Sequence, residues 1–242
     1  VKTINSIAID ASTATTDYRF SYTNNKTESV LPGANLKSHN FNVRSTAEIS
    51  DKLSIDTKVT FFSQNIEGKA RSGGEGVVRA IYSMPRTVTT SDLTNYQMAN
   101  PSSPADYAVQ SYSGKGYNTA NPYWMLLHDI DEDSRERFFG FSKINYKFND
   151  WLSGFVRVGA DVTNAGSNYV RQAGHHYYPT GRIGKNNSKS GELNSEFLLS
   201  AKRDLTADLN MAINVGGNMS KRTFQGNSMF GESFKIPSKP FF

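Results

Sequence analysis

Four groups of side chains in this sequence have the types and spacing from which chemistry is built. Asp129-Ile-Asp-Glu-Asp133, with Glu136 close behind, offers the carboxylates that a hard cation such as Ca²⁺ prefers. It lacks the glycine and terminal glutamate spacing of an EF-hand loop, so the expectation is a solvated acidic loop. His175-His176 precedes Tyr177-Tyr178, but two imidazoles without an evident third ligand make a poor metal centre. A surface aromatic patch is expected there instead. Ser72-Gly-Gly-Glu-Gly76 is glycine-rich, yet it has neither the strand–turn–helix frame nor the Lys-Ser/Thr of a phosphate cradle.

The fourth group is aromatic. Tyr82, Tyr96, Tyr107, Tyr112, Tyr117, Tyr123 and Trp124 fall in one long segment among Asn and Ser, a composition suited to stacking on sugars or touching peptides. Tyr123 and Trp124 are the expected substrate contacts. The same rings would equally suit packing of a long structured loop. No Ser-His-Asp or paired-carboxylate arrangement is present, so the expectation is a protein that is not an enzyme and needs no cofactor or metal.

Composition narrows the classes. The 242 residues carry a net charge of +5 with basic and acidic side chains interleaved, and no reading motif for nucleic acid is present. No run of 18 apolar residues could form a transmembrane helix. The absence of cysteine excludes disulfides and thiolate chemistry within the chain. Val1 is neither an initiator Met nor the start of a signal peptide, so the chain reads as a processed product or a piece of something longer.

The elements that must position these groups are strands. Ile49-Ser-Asp-Lys-Leu53-Ser54, Phe148-Asn-Asp-Trp-Leu152-Ser153 and Leu205-Thr-Ala-Asp-Leu209-Asn210 repeat one pattern: an apolar residue, three turn residues, Leu, then a small polar residue. Each copy is flanked by alternation of period two. Phe41, Val43, Ala47 and Ile49 share a face, as do Leu53, Ile55, Val59 and Phe61 across the turn. Phe148, Leu152, Val156 and Val158 likewise oppose Lys147, Arg157 and Asp161. A weaker hairpin opens the chain around residues 11–15. About eight strands in four hairpins result, with turns near 11–15, 50–52, 149–151 and 206–208, and all eight prolines outside them.

The connections alternate in length. Short turns lie at one end, whereas the other end carries links over residues 24–36, 65–133 and 164–192. Outer-membrane barrels segregate short periplasmic turns from long extracellular loops in this way. Phe138 and Phe148 bracket one strand on its apolar face, about 25 Å apart along the membrane normal at a tilt near 40°. Within the long link, Val77, Ala80, Ile81 and Met84 have helical spacing and predict a short helix ending at Pro85 that packs on the barrel mouth. The fold class expected is all-β: an antiparallel transmembrane barrel segment of about eight strands. The competing readings are a secreted β-sandwich binding carbohydrate or cells, whose apolar phase a second sheet would cover, and an eight-stranded membrane enzyme or adhesin.

The order of several motifs resembles the barrel of SusC-like TonB-dependent outer-membrane transporters. These are Tyr18-Arg-Phe-Ser-Tyr22, Val30-Leu-Pro-Gly33, the Ile49–Leu53 turn, Ala80-Ile-Tyr-Ser-Met-Pro-Arg86, Asn121-Pro-Tyr-Trp124, Asp133-Ser-Arg-Glu-Arg137 and the Phe148–Leu152 turn. The similarity runs over about 150 residues and thins after Gly166. It implies a barrel of about 22 strands, an N-terminal plug and TonB energisation in the Gram-negative outer membrane, capped by a SusD-like surface lipoprotein. The implied cargo is an oligosaccharide or peptide, with outer-membrane lipid around the wall. No plug-like segment or TonB box is visible here, so the chain is expected to be an internal part of the barrel.

Overall fold

The computed structural model describes residues 1–69, 71, 73–102, 107–111, 119–206 and 208–237. Four long hairpins form one antiparallel sheet: β1 (Lys2–Ser12), β2 (Thr16–Glu28), β3 (Asn35–Ser50), β4 (Leu53–Glu67), β7 (Ile130–Lys147), β8 (Leu152–Arg171), β9 (Arg182–Thr206) and β10 (Leu209–Glu232). Each strand pairs with its sequence neighbour, in the order β1-β2-β3-β4-β7-β8-β9-β10. Between β4 and β7 lie a 3₁₀ turn (Gly73–Glu75), α1 (Val77–Tyr82), α2 (Thr90–Thr94), a small hairpin of β5 (Gln97–Ala99) and β6 (Ala108–Gln110), and α3 (Pro122–His128).

Side chains close the short turns. The Asn149 Oδ1 accepts from the backbone N–H of Leu152 at 2.8 Å and of Trp151 at 3.1 Å. Ser50 Oγ does the same for Leu53 at 3.2 Å, and Thr13 Oγ1 for Thr16 at 3.0 Å. This is the local bonding that makes Asn, Asp and Ser turn formers. Ala207 of the last turn lies outside the described residues, as do Ser72, Pro104, Tyr112, Tyr117 and Pro240.

Register fixes the two faces. Ile7, Tyr22, Phe41, Phe61, Phe138 and Val162 lie directly opposite one another across six strands. Tyr22 and Phe41 stack with centroids 4.6 Å apart. Toward the turns, the same face carries Phe20, Val43, Ile144, Val156, Phe197 and Leu199, all exposed. No second sheet of described residues covers them, which removes the sandwich reading. Burying such side chains is worth about 1.5–3 kcal/mol each, and only a partner outside this sheet can supply that burial.

The apolar band slants across the strands. Followed through the register from β4 to β10, its lower rim moves from the level of Leu53 and Val215 down to Leu209, and its upper rim from that of Phe61 and Thr223 down to Met219. Set against strand spacing, these slips give a tilt of roughly 35–45°, the range of outer-membrane barrels. Arg203 sits in the apolar phase beside Met211, one turnward step from Ala201, at the lower rim of the band.

The strands run further than their apolar alternation. The links expected over 24–36 and 164–192 shrink to residues 29–34 and 172–181, and the long one to 68–129. Beyond the band both faces are polar, so alternation fades, while ladder hydrogen bonds continue without it. Loss of hydrophobic period ends the band, not the strand.

Candidate functional site at the lumenal face and loop end

The polar phase of the sheet is a wall of paired charges. The Arg44 guanidinium grips Asp56 at 3.0 and 2.9 Å, Arg157 lies 2.9 Å from Glu196, and Arg222 3.0 Å from Glu192. Arg19 reaches Asp10 at 3.2 Å, and Arg137 holds Asp161 through two nitrogens. Each pair crosses between neighbouring strands, where opposite charges stabilise by a few tenths of a kcal/mol to about 1 kcal/mol. The sequence pattern missed one feature of this face. Phe139, Phe141 and Phe155 share it with the charges, each half-buried under a cation: Arg137 stands 4.5 Å from the Phe139 ring, Arg157 5.7 Å from Phe141, and Lys143 4.0 Å from Phe155. Apolar residues on the polar phase look like noise in a period-two count. The cations that cover them stand on the same face and could have flagged them.

At the loop end, the described residues between 68 and 129 include a small helical cap. Val77, Ala80, Ala120 and Met125 form its core, with Met84 and Leu126 against it. The short helix expected at Val77 therefore exists, although Ile81 points outward and the packing is onto α3. Asn121 caps α3: its Oδ1 accepts from Tyr123 N–H at 2.9 Å, and its Nδ2 donates to the Ser111 and Leu93 carbonyls. Pro122 follows at the first helical position, where its missing N–H costs nothing.

This cap corrects the aromatic expectation. Trp124 is 1% exposed and stacks on His128, with centroids 4.2 Å apart. A ligand cannot reach its face without unfolding α3. The sequence placed Trp124 only in the long loop and gave no sign of the helix that buries it. Tyr123 is half-buried beside it, and Tyr82 on α1 is the open ring, 87% exposed. Burial also holds the His128 imidazole below its ordinary pKa.

A buried ion network ties the cap to β7, β8 and the 172–181 loop. Arg171, 1% exposed, donates from Nη2 to both Asp131 oxygens at 2.8 Å and from Nη1 to the Ile130 and Val170 carbonyls at 3.1 and 2.8 Å. Its Nε lies 3.4 Å from Asp129 Oδ2, on a side chain only 7% exposed. The expected solvated acidic loop is thus an interior anchor: Asp129 and Asp131 are drawn in by Arg171, which lies forty residues away in sequence. Among the described residues no group of His, Cys, Asp or Glu is placed to hold a metal ion.

His175 corrects the second expectation, since it is buried rather than part of a surface patch. Its Nδ1 accepts from Tyr177 N–H at 3.0 Å, which fixes the proton on Nε2, 3.5 Å from Asp129. Arg71 pairs with Glu75 and stands 3.4 Å from Asp131. The Tyr178 hydroxyl donates to Glu75 at 2.6 Å and accepts from Arg182 at 3.1 Å. Burial, then Glu75, pushes the Tyr178 phenol above its ordinary pKa.

A slanted apolar band on one face, paired charges on the other and a cap at one end can be compared with solved structures. One RagAB peptide transporter structure superposes on all of this chain with a TM-score of 0.68 at 13% identity, using 27% of the transporter chain. The FpvA receptor of P. aeruginosa bound to pyoverdine covers 94% of it with a TM-score of 0.60 at 11% identity, using 26% of its own chain. The fold is the wall of a large transmembrane β-barrel. The chain spans about a quarter of these barrel proteins. It matches no protein-family model and no curated protein.

Proposed function

We propose that this chain is part of the barrel of a TonB-dependent importer in the outer membrane of a Gram-negative bacterium. Its uncovered apolar band, set against a face of paired charges, carries the reading: one face suits lipid and the other a watery lumen. On this reading the short turns are periplasmic and the helical cap extracellular. The cargo is an oligosaccharide or peptide, with Tyr123 and the exposed Tyr82 as its first contacts at the mouth. A SusD-like surface lipoprotein closes over the cap; the name of the RagAB peptide transporter supports peptide as one cargo class. TonB acts through parts of the protein outside these residues.

The test uses the full-length protein and single cysteines introduced by Val158→Cys on the band and Asn194→Cys on the opposite face. The protein is expected in the outer-membrane fraction. A lipid-soluble maleimide should label the Val158→Cys protein, and a water-soluble one the Asn194→Cys protein. Recovery in the soluble fraction, or the reverse labelling, refutes the reading.

A further inference from the structure

The face that is apolar through the band turns polar above it, and there it forms an open hollow of about 580 Å³. One register step past Phe61, Phe138 and Val162 come Ser63, Glu136 and Asn164, continuing onto Lys189 and Gln225; one step further come Asn65, Asn187 and Asn227. Gly166, which has no side chain, lies between Ser134 and Asn187 and deepens the floor. Asn65, Asn164, Asn187, Gln225 and Asn227 thus direct side-chain amides out of the barrel, on the same side as the lipid-facing residues. On the opposite face Asn218 donates to Asn194 at 2.9 Å and the charges are paired. Among the described residues the amides of the hollow make no such side-chain bond.

We propose that this hollow seats the phosphorylated oligosaccharide headgroup of an outer-leaflet glycolipid, with the amides on sugar hydroxyls and Lys189 on a phosphate. The inference rests on the membrane reading above. Height selects this occupant. Counted from the upper rim of the band, the hollow extends roughly 5 to 20 Å beyond the apolar zone at the tilt found here. A phospholipid headgroup layer is only about 5–8 Å thick, so phospholipid would leave the upper amides bare. A headgroup several sugars tall would meet them all. Amides and hydroxyls both donate and accept, which is what the sugar hydroxyls of such a headgroup need, while Lys189 supplies a cation for its phosphate.

The experiment uses the full-length protein in nanodiscs of phosphatidylethanolamine containing either rough lipopolysaccharide with core sugars or lipid A alone. Glycolipid retained per protein after detergent washing is counted by native mass spectrometry. The unaltered protein should keep about one lipopolysaccharide and at least fivefold less lipid A. The paired substitutions Asn187→Leu and Asn227→Leu, and separately Lys189→Glu, should lower retention about tenfold. The lumenal control Asn194→Ala should not. Equal retention by the hollow variants, or equal retention of lipid A and lipopolysaccharide, overturns the inference. A barrel that sits in the outer membrane yet keeps no glycolipid sinks this inference alone, whereas a protein absent from that membrane sinks the functional reading.

Discussion

Replacing Arg171 with Leu removes a guanidinium that serves two carboxylate oxygens of Asp131, two backbone carbonyls and Asp129, from a position 1% exposed. Leu keeps much of the side-chain volume but leaves Asp129 and Asp131 facing each other with only Arg71, 3.4 Å from Asp131, as a remaining cation. Breaking one side of a buried ion pair costs about 3–5 kcal/mol. The lower end applies here, because Asp131 retains 17% exposure and can relieve part of the penalty by taking a proton. At about 1.4 kcal/mol per decade, 3 kcal/mol is roughly a hundredfold change in an opening equilibrium. The network joins the cap to β7 and β8, so the opening should be local to the cap and leave the barrel band intact. Native-state hydrogen exchange on the full protein reads it directly at the α3 amides of Met125 and Asp129, which bond to Asn121 and Met125. Their protection should fall about a hundredfold, while band amides such as Val158 stay unchanged. Adding Asp131→Asn should restore part of the loss by removing one of the two facing carboxylates. Less than a tenfold loss in the single variant, or no recovery in the double, would refute the anchor argument.

Val158→Arg, which places a charge on the lipid-facing phase, should destabilise the folded barrel by about 2–4 kcal/mol in refolding titrations into lipid vesicles; Asn194→Arg, on the charged phase, should cost far less. Asn149→Ala removes an acceptor for two turn N–H groups and should cost about 1 kcal/mol in the same titration, with Asn149→Asp recovering most of it. His128 has its pKa lowered by burial, so the folded cap favours the neutral ring. That contribution is fully present above the ordinary histidine value and is lost as pH falls through the lowered one. Protection of the α3 amides, corrected for intrinsic exchange, should therefore fall as pH drops below about 6.5, and His128→Gln should flatten that profile.

Most of the sheet could be read from its residues because the faces alternate so regularly. Val156 and Arg157 announce opposite surroundings before any coordinate is known. What lay hidden shares one cause: the sequence pattern records which residues are apolar, not what covers them. Trp124 and Tyr82 are both aromatic residues of the same long loop, yet one is core and the other bare, decided by the packing of α1 on α3. Arg171 and Asp131 carry no sign of each other across forty positions, so a buried anchor looked like a wet acidic loop. The strand extensions after Val162 and before Leu193 were missed because backbone ladders need no hydrophobic period.

The two outer strands of the sheet, β1 and β10, have no partner on their far sides among the described residues. In oil, each open amide and carbonyl along such a margin would cost several kcal/mol. These 242 residues therefore cannot be released into a bilayer by themselves; both seams must be closed by further strands first. The open edge of β10 runs for 24 residues, so a template strand docking there during assembly would gain a long ladder of rungs. The length of one late strand thus carries information about the sequence of events by which such a wall is built.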